Sequence, residues 1–217
     1  MFKISRENLG EFYKTLAAKM PLFLPIRKAG EVNFGYYEEG AEVDIDTLKS
    51  VKSPKGVFFP QSENMMRFRT EGKKLEIEDV RSERDPFAVF GVRACDYKAF
   101  SVLDNVFLQD PVDTYYKEKR EAAIIFTLAC GKPQQSCFCS VFGIDASQPM
   151  GDVTCWLDEN ALYLRANTEK GEKALSLVAN LTEKCDDKHV EELKGEIKKK
   201  LEKLPYKDLD LSRFKPE

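Results

Sequence analysis

The chain has 217 residues, 42% hydrophobic and 33% charged, with a formal net charge of -3. Such a composition builds a globular core and lacks the basic surplus of a nucleic-acid or anionic-membrane binder. No apolar run approaches the ~20 residues that span a bilayer, and the single histidine argues against histidine-based catalysis or a His-rich metal site.

The N-terminus, Met1-Phe2-Lys3-Ile4-Ser5-Arg6-Glu7, carries no apolar signal segment. Ser5 is placed to cap a helix with Leu9, Phe12, Tyr13, Leu16 and Met20 at helical spacing, ended by Pro21. Leu22–Ile26 and Val32–Tyr36 read as short strands around a Lys28-Ala29-Gly30 turn. Glu38 to Asp46 is acidic and expected to be exposed, and Val57-Phe58-Phe59 is expected to be buried. Gln61 to Phe68 is expected to form a short helix with Met65, Met66 and Phe68 facing inward. Leu75 to Val80 alternates as a half-buried strand would.

Phe87-Ala88-Val89-Phe90-Gly91-Val92 is continuous and apolar, the pattern of a strand covered on both faces. Asp96 is expected to cap a helix carrying Phe100, Leu103 and Phe107. A second helical piece after Asp110-Pro111 carries Tyr115 and Tyr116 and ends in Lys117-Glu118-Lys119-Arg120. Ala122 to Leu128 is another buried strand. Strand, helices, strand is a crossover unit, so the two strands should run parallel and share a carboxyl edge, where such sheets bind ligands. Val153–Leu157 and Ala161–Arg165 read as a hairpin around Asp158-Glu159-Asn160. Thr168 is expected to cap a helix with Ala174, Leu175, Val178 and Leu181. A last helix carries Val190, Leu193, Ile197, Leu201 and Leu204 on one face, with Glu196 and Lys200 paired outside it.

Six cysteines in a chain expected to be cytoplasmic, where thiols stay reduced, point to metal or redox work. Three lie in Cys130-Gly131-Lys132-Pro133-Gln134-Gln135-Ser136-Cys137-Phe138-Cys139, and Cys95 follows the strand ending at Val92. The parallel pairing brings Cys95 and Cys130 to one sheet edge. Cys95, Cys130, Cys137 and Cys139 therefore read as four thiolates around one centre, with an iron–sulfur cluster expected. Cys137 and Cys139 can reach that centre together only if the backbone turns between them, since an extended Cys-x-Cys points its thiols apart. Phe138 would then shield the cluster from water. The Cys95 thiolate is expected to be favoured by the start of the following helix. Arg93 and Lys98 flank it as candidates to balance charge or meet a partner. The spacing matches neither zinc ribbons nor the ferredoxin run, so by itself it leaves zinc, and a thiol-exchange pair at Cys137 and Cys139, as rivals. Cys155 and Cys185 read as ordinary packed or exposed cysteines, His189 as surface, and Lys198-Lys199-Lys200 as a solvated face. There is no dinucleotide, P-loop, zinc-protease or serine-hydrolase motif.

With Gly91-Val92-Arg93-Ala94-Cys95-Asp96, Cys130, Cys137-Phe138-Cys139 and Phe142-Gly143-Ile144-Asp145 in view, the chain resembles a known family. It is similar to the N-terminal region of the beta, iron–sulfur subunits of cytoplasmic nickel–iron hydrogenases (sulfhydrogenases), a group that includes the A subunit of anaerobic sulfite reductase. Leu24-Pro25-Ile26-Arg27-Lys28, Phe58-Phe59-Pro60-Gln61 and Thr168-Glu169-Lys170-Gly171-Glu172 fit the same family, over nearly all of the chain. The resemblance implies that Cys95, Cys130, Cys137 and Cys139 ligate a [4Fe–4S] cluster. It implies electron transfer within a multi-subunit oxidoreductase of anaerobes rather than catalysis by this chain alone. Its partners would be other subunits of a redox complex, a ferredoxin-like or flavin-bearing chain among them. Family members typically continue into a two-cluster ferredoxin module. This sequence stops at Lys215-Pro216-Glu217, about where that module would begin, so the expectation is either a truncation or a short relative working with a separate ferredoxin-like chain.

The expected fold is a single α/β domain over residues 1–205, with a loosely held tail at 206–217. A mixed, partly parallel sheet is flanked by helices, and the cysteine-rich loop sits at the carboxyl edge of that sheet.

Overall fold

In the computed structural model, which describes residues 1–79 and 85–212, the chain opens with a strand that the sequence reading lacks. This strand, β1 (Phe2–Ser5), pairs with two later strands, and Ser5 precedes a single 3₁₀ turn rather than capping an α-helix by its side chain. Helix α1 (Leu9–Ala17) follows and buries Leu9, Phe12, Tyr13 and Leu16, the stripe its spacing predicts. β2 (Leu22–Lys28) and β3 (Glu31–Tyr36) form the expected hairpin. The acidic stretch after it is not simply exposed. Ile45 is buried in the core, Val43 bridges to Ile26, and the Asp44 carboxylate is ion-paired with Arg27.

A short helix, α2 (Lys55–Phe58), buries Phe58 and leaves Phe59 outside, stacked on Phe107. The helix expected over Gln61 to Phe68 is absent. Its second half is strand β4 (Met66–Glu71), which pairs antiparallel with β5 (Lys74–Asp79) in a separate two-stranded sheet. Met65, Met66, Phe68, Leu75 and Ile77 are all exposed, so neither the inward-facing helix nor the half-buried strand is realised. The alternation itself is real: Phe68 pairs with Ile77 on one face while Arg67 and Arg69 pair with Glu78 and Glu76 on the other. Val80, the last residue of the expected strand, lies outside the described residues.

β6 (Phe87–Val92) and β7 (Ala123–Leu128) are parallel, as the crossover demands, and every residue of both is buried. Between them run α3 (Ala94–Phe107) and α4 (Thr114–Ala122). Asp113 caps α4 by accepting from the Tyr116 amide at 3.0 Å. Asp96 does not cap α3. The cap position belongs to Arg93, and Asp96 sits in the first turn, where its carboxylate accepts from the Ser53 hydroxyl at 2.7 Å. β8 (Val153–Leu157) is parallel to β7 and antiparallel to β9 (Ala161–Ala166). α5 (Glu169–Ser176) is capped by Thr168, whose hydroxyl accepts from Gly171 N at 3.2 Å. β10 (Glu183–Lys184) pairs with β1, and α6 (Lys188–Leu201) closes the fold, with Val190 and Ile197 buried.

Among the described residues the main sheet has the order β10-β1-β9-β8-β7-β6-β2-β3, with β2, β6, β7 and β8 mutually parallel in sequence of neighbours. Its two faces are read directly from β6. Ala88 and Phe90 enter one core with the apolar stripe of α1 and with Leu175 and Val178 from α5 and just beyond it. Phe87, Val89 and Val92 enter another with Phe58, Phe100 and Tyr116. A strand sandwiched between two helix layers has no solvent face to alternate toward, hence the unbroken apolar run. Among the described residues no helix is long and apolar enough to cross a membrane.

Candidate metal centre

β6 ends on an irregularity that sets the site. Its register against β7 shifts between Phe90 and Val92, and Gly91 sits there at φ +86°. A side chain at that φ is strained, and an added Cβ would also lie 3.2 Å from Pro25 Cδ. The bulge re-aims the chain into Arg93, Ala94 and Cys95 at the first turn of α3. Cys130 leaves β7 differently. Ala129 N donates to Cys155 O at 2.9 Å and Cys130 N to Ala146 O at 2.9 Å, which pins the strand end before the loop departs.

The loop turns back on itself at its far end. Cys137 N donates to Gln134 O at 2.9 Å, and the Gln134 amide donates to the Cys137 sulfur at 3.3 Å. After Phe138 the backbone enters a 3₁₀ turn over Cys139–Phe142, ended by Gly143 at φ +65° with Ile144 N donating to Cys139 O at 3.1 Å. Between the two cysteines Phe138 sits at φ -141°, ψ 31°, off the extended conformation that would point the thiols of a Cys-x-Cys pair apart.

Cys95, Cys130, Cys137 and Cys139 line one cavity of about 250 Å³, together with Leu48, Lys49, Ser50, Ser53, Arg93 and Ala146. Cys95 at the α3 start and Cys139 in the loop are near enough that each thiol shifts the other's ionisation. Cys95 is exposed at the rim, Cys137 and Cys139 are half-buried, and Cys130 is buried. All six cysteines are free thiols. Cys155 is packed in the core and Cys185 is half-buried, away from the cavity lining.

The ionisation pattern reverses one expectation. Cys95 is not the favoured thiolate. Its interaction with Cys139, and then burial, push its pKa up, while that same interaction holds Cys139 below the ordinary thiol value. Burial pushes Cys130 up to about 11, partly offset by the nearby Arg93 guanidinium. The Asp96 amide in the first turn of α3 acts in the expected direction, lowering the Cys95 pKa, while the interaction with Cys139 and burial raise it.

Arg93 is the residue that ties the cavity walls together. Its guanidinium donates to Ala129 O at 3.0 Å, Ile45 O at 2.7 Å and Thr47 O at 3.3 Å, joining the β7 exit to the segment before Leu48. Burial lowers its pKa, opposed by the sulfurs of Cys130 and Cys95. The wall from Leu48 to Ser53 was not legible in the sequence. It has no apolar period and no motif, and only its tertiary neighbours reveal it. Phe138 does not shield the cavity. It is 47% exposed and packs on Phe142 with ring centroids 5.7 Å apart, outside the lining. Lys200 donates to Gly131 O at 2.9 Å, supporting the loop from α6.

Among the described residues, no three His, Cys, Asp or Glu side chains are gathered closely enough to hold a single metal ion. A mononuclear zinc would need its sulfurs about 2.3 Å from a common point. The four thiols instead surround a space. A donor set of thiols alone, with Asp96 already engaged by Ser53, is the chemistry of a tetrahedral thiolate ion or of an iron–sulfur cluster.

The chain is similar to the Sulfhydrogenase 2 subunit beta of Pyrococcus furiosus, 27% identical over 169 residues, which is 78% of this chain and 49% of the relative. The chain thus spans about half the length of the curated relative it matches. That likeness bears out the resemblance to sulfhydrogenase beta subunits read from the sequence. No family model matches the chain, and no solved structure matches it significantly.

Proposed function

We propose, from this likeness to a sulfhydrogenase beta subunit, that the chain is an electron-transfer component of an oxidoreductase complex, hydrogenase-like or sulfite-reductase-like. It would hold one [4Fe–4S] cluster on Cys95, Cys130, Cys137 and Cys139. The observation that carries the reading is that four thiols from two strand exits and one loop line a single cavity. The cluster, when bound, supplies a one-electron couple. The protein supplies the rest.

The parallel pair β6 and β7 fixes Cys95 and Cys130 on rigid strand ends. The Gln134 amide donating to Cys137 sulfur stabilises negative charge on that ligand. Arg93 places a buried positive charge beside two of the four sulfurs and holds the wall opposite. Both effects favour the more negative, reduced state of a thiolate-ligated cluster. None of these groups is arranged to bond a substrate, so the partners would be other redox subunits, in the cytoplasm of an anaerobe.

Anaerobic preparation tests this. The protein should be brown, bleach with dithionite and carry iron and sulfide in equal amounts. Cys137→Ser should lose most of the iron. A colourless protein with stoichiometric zinc, or iron unchanged in Cys137→Ser, would overturn the ligand assignment.

A further inference from the structure

The chain is acidic overall, yet the surface around the cysteine cavity is not. Lys49, Lys52, Lys55 and Lys98 make no ion pair among the described residues. Lys49 lines the cavity and its Nζ donates to Ser136 Oγ of the cysteine loop at 2.9 Å. Lys52 and Lys55 continue the same wall, and Lys98 lies one helical turn beyond Cys95. The carboxylates nearby are already engaged: Asp96 by Ser53, Asp46 by Arg6 and Lys132, and Asp145, which lines the adjoining groove, by Ser147 and Lys198. A net charge of -3 therefore coexists with a local basic rim.

Inside that rim the surface is apolar. Phe138 and Phe142 are exposed and in contact, and Val51 and Met150 are exposed as well. Phe142, Met150, Tyr97 and Lys98 line a groove of about 600 Å³ that shares Ala94 with the cysteine cavity. Aromatic centre and charged rim is the anatomy of a protein interface, and the exposed Cys95 marks where the cavity reaches it.

We propose that this lysine-rimmed, aromatic-centred face over the cysteine cavity is the docking surface for an electron-carrier protein that presents an acidic patch. The proposal rests on the electron-transfer reading and adds the surface and the charge of the partner. Opposite charge raises the encounter rate and fixes orientation, while the aromatic centre excludes water between the two centres.

Fluorescence anisotropy with a small, strongly acidic two-cluster bacterial ferredoxin as the probe tests it on the full chain, and basic cytochrome c serves as the control. Binding is read whether or not the cluster is present, so a failure of the cluster assignment and a failure of the docking surface separate. Affinity for the ferredoxin should fall at least about tenfold between about 50 and about 500 mM salt. K52E/K98E, at two exposed positions outside the cavity lining, should lose about tenfold at low salt and flatten the salt dependence, with iron content unchanged. Phe142→Ala should weaken binding without changing the salt slope. Ferredoxin affinity that is the same in K52E/K98E, or a cytochrome c affinity that matches it with the same salt dependence, would overturn the proposal.

Discussion

β6 and the β4–β5 hairpin are built from similar material and end in opposite situations. Phe90 in β6 is fully buried between helix layers, whereas Phe68 in β4 is 72% exposed. Both strands carry large apolar side chains at the right period. What separates them is company: β6 has parallel neighbours on both sides and helices on both faces, while the hairpin has one partner strand. Amphipathic pattern says which side chains share a face, and only the rest of the fold says whether anything covers it. The cysteines follow the same division. Cys95 and Cys130 lie beyond the carboxyl ends of the covered strands β6 and β7, and none of the four cavity cysteines is on the bare hairpin.

The largest expected contrast is chemical. Cys130→Ser, at the β7 exit, should drop anaerobically bound iron from about four atoms per chain to less than about one, whereas Phe68→Ser in the hairpin should leave iron unchanged. Next comes stability, read by urea denaturation. Phe90→Ala should cost about 3–5 kcal/mol, and Phe68→Ala should stay within about 0.5 kcal/mol. Equal effects of the two would erase the distinction drawn here.

Arg93→Met sharpens the account of the covered region. Three carbonyls lose their donor, so a cost of roughly 3 kcal/mol is expected, together with a lower midpoint potential of the cluster. Arg93→Lys should recover the potential more than the stability, since it keeps the charge and loses the fork. The smallest effect lies at the surface. His189 Nε2 donates to the Asp158 carboxylate at 2.8 Å, and that bond raises its pKa above the ordinary value. A raised folded-state pKa stabilises below the unfolded value of about 6.5 and is lost as pH rises through the folded one. The pair is solvated, so His189→Gln should cost only a few tenths of a kcal/mol at pH 5.5 and nothing measurable at pH 9.

Much of this was legible in the sequence, and the failures have a common cause. The parallel pair, its two cysteine exits, the β8–β9 hairpin and the Thr168 cap follow from period, β-branched and aromatic runs, and a local cap. These signals are local and strong. β1 was missed because four residues, Phe2 to Ser5, carry too little period to register, and their strand exists only through β9 and β10. Asp96 looked like a cap by residue type, but the bulge at Gly91 starts the helix earlier, at Arg93. Phe138 looked like a shield because it stands between two cysteines. Its ring instead packs on Phe142, beside the cavity and not in its lining. The buried reach of Arg93 and the lysine-bearing wall from Leu48 to Ser53 depend on contacts across more than thirty residues of sequence, which no local pattern encodes.

One measurement tests the central claim most directly: anomalous diffraction at the iron edge from anaerobically grown crystals of the full chain. The account predicts a single compact iron peak within sulfur-bonding reach of the side chains at 95, 130, 137 and 139. Iron bound elsewhere, or a lone zinc signal at those thiols, would contradict it.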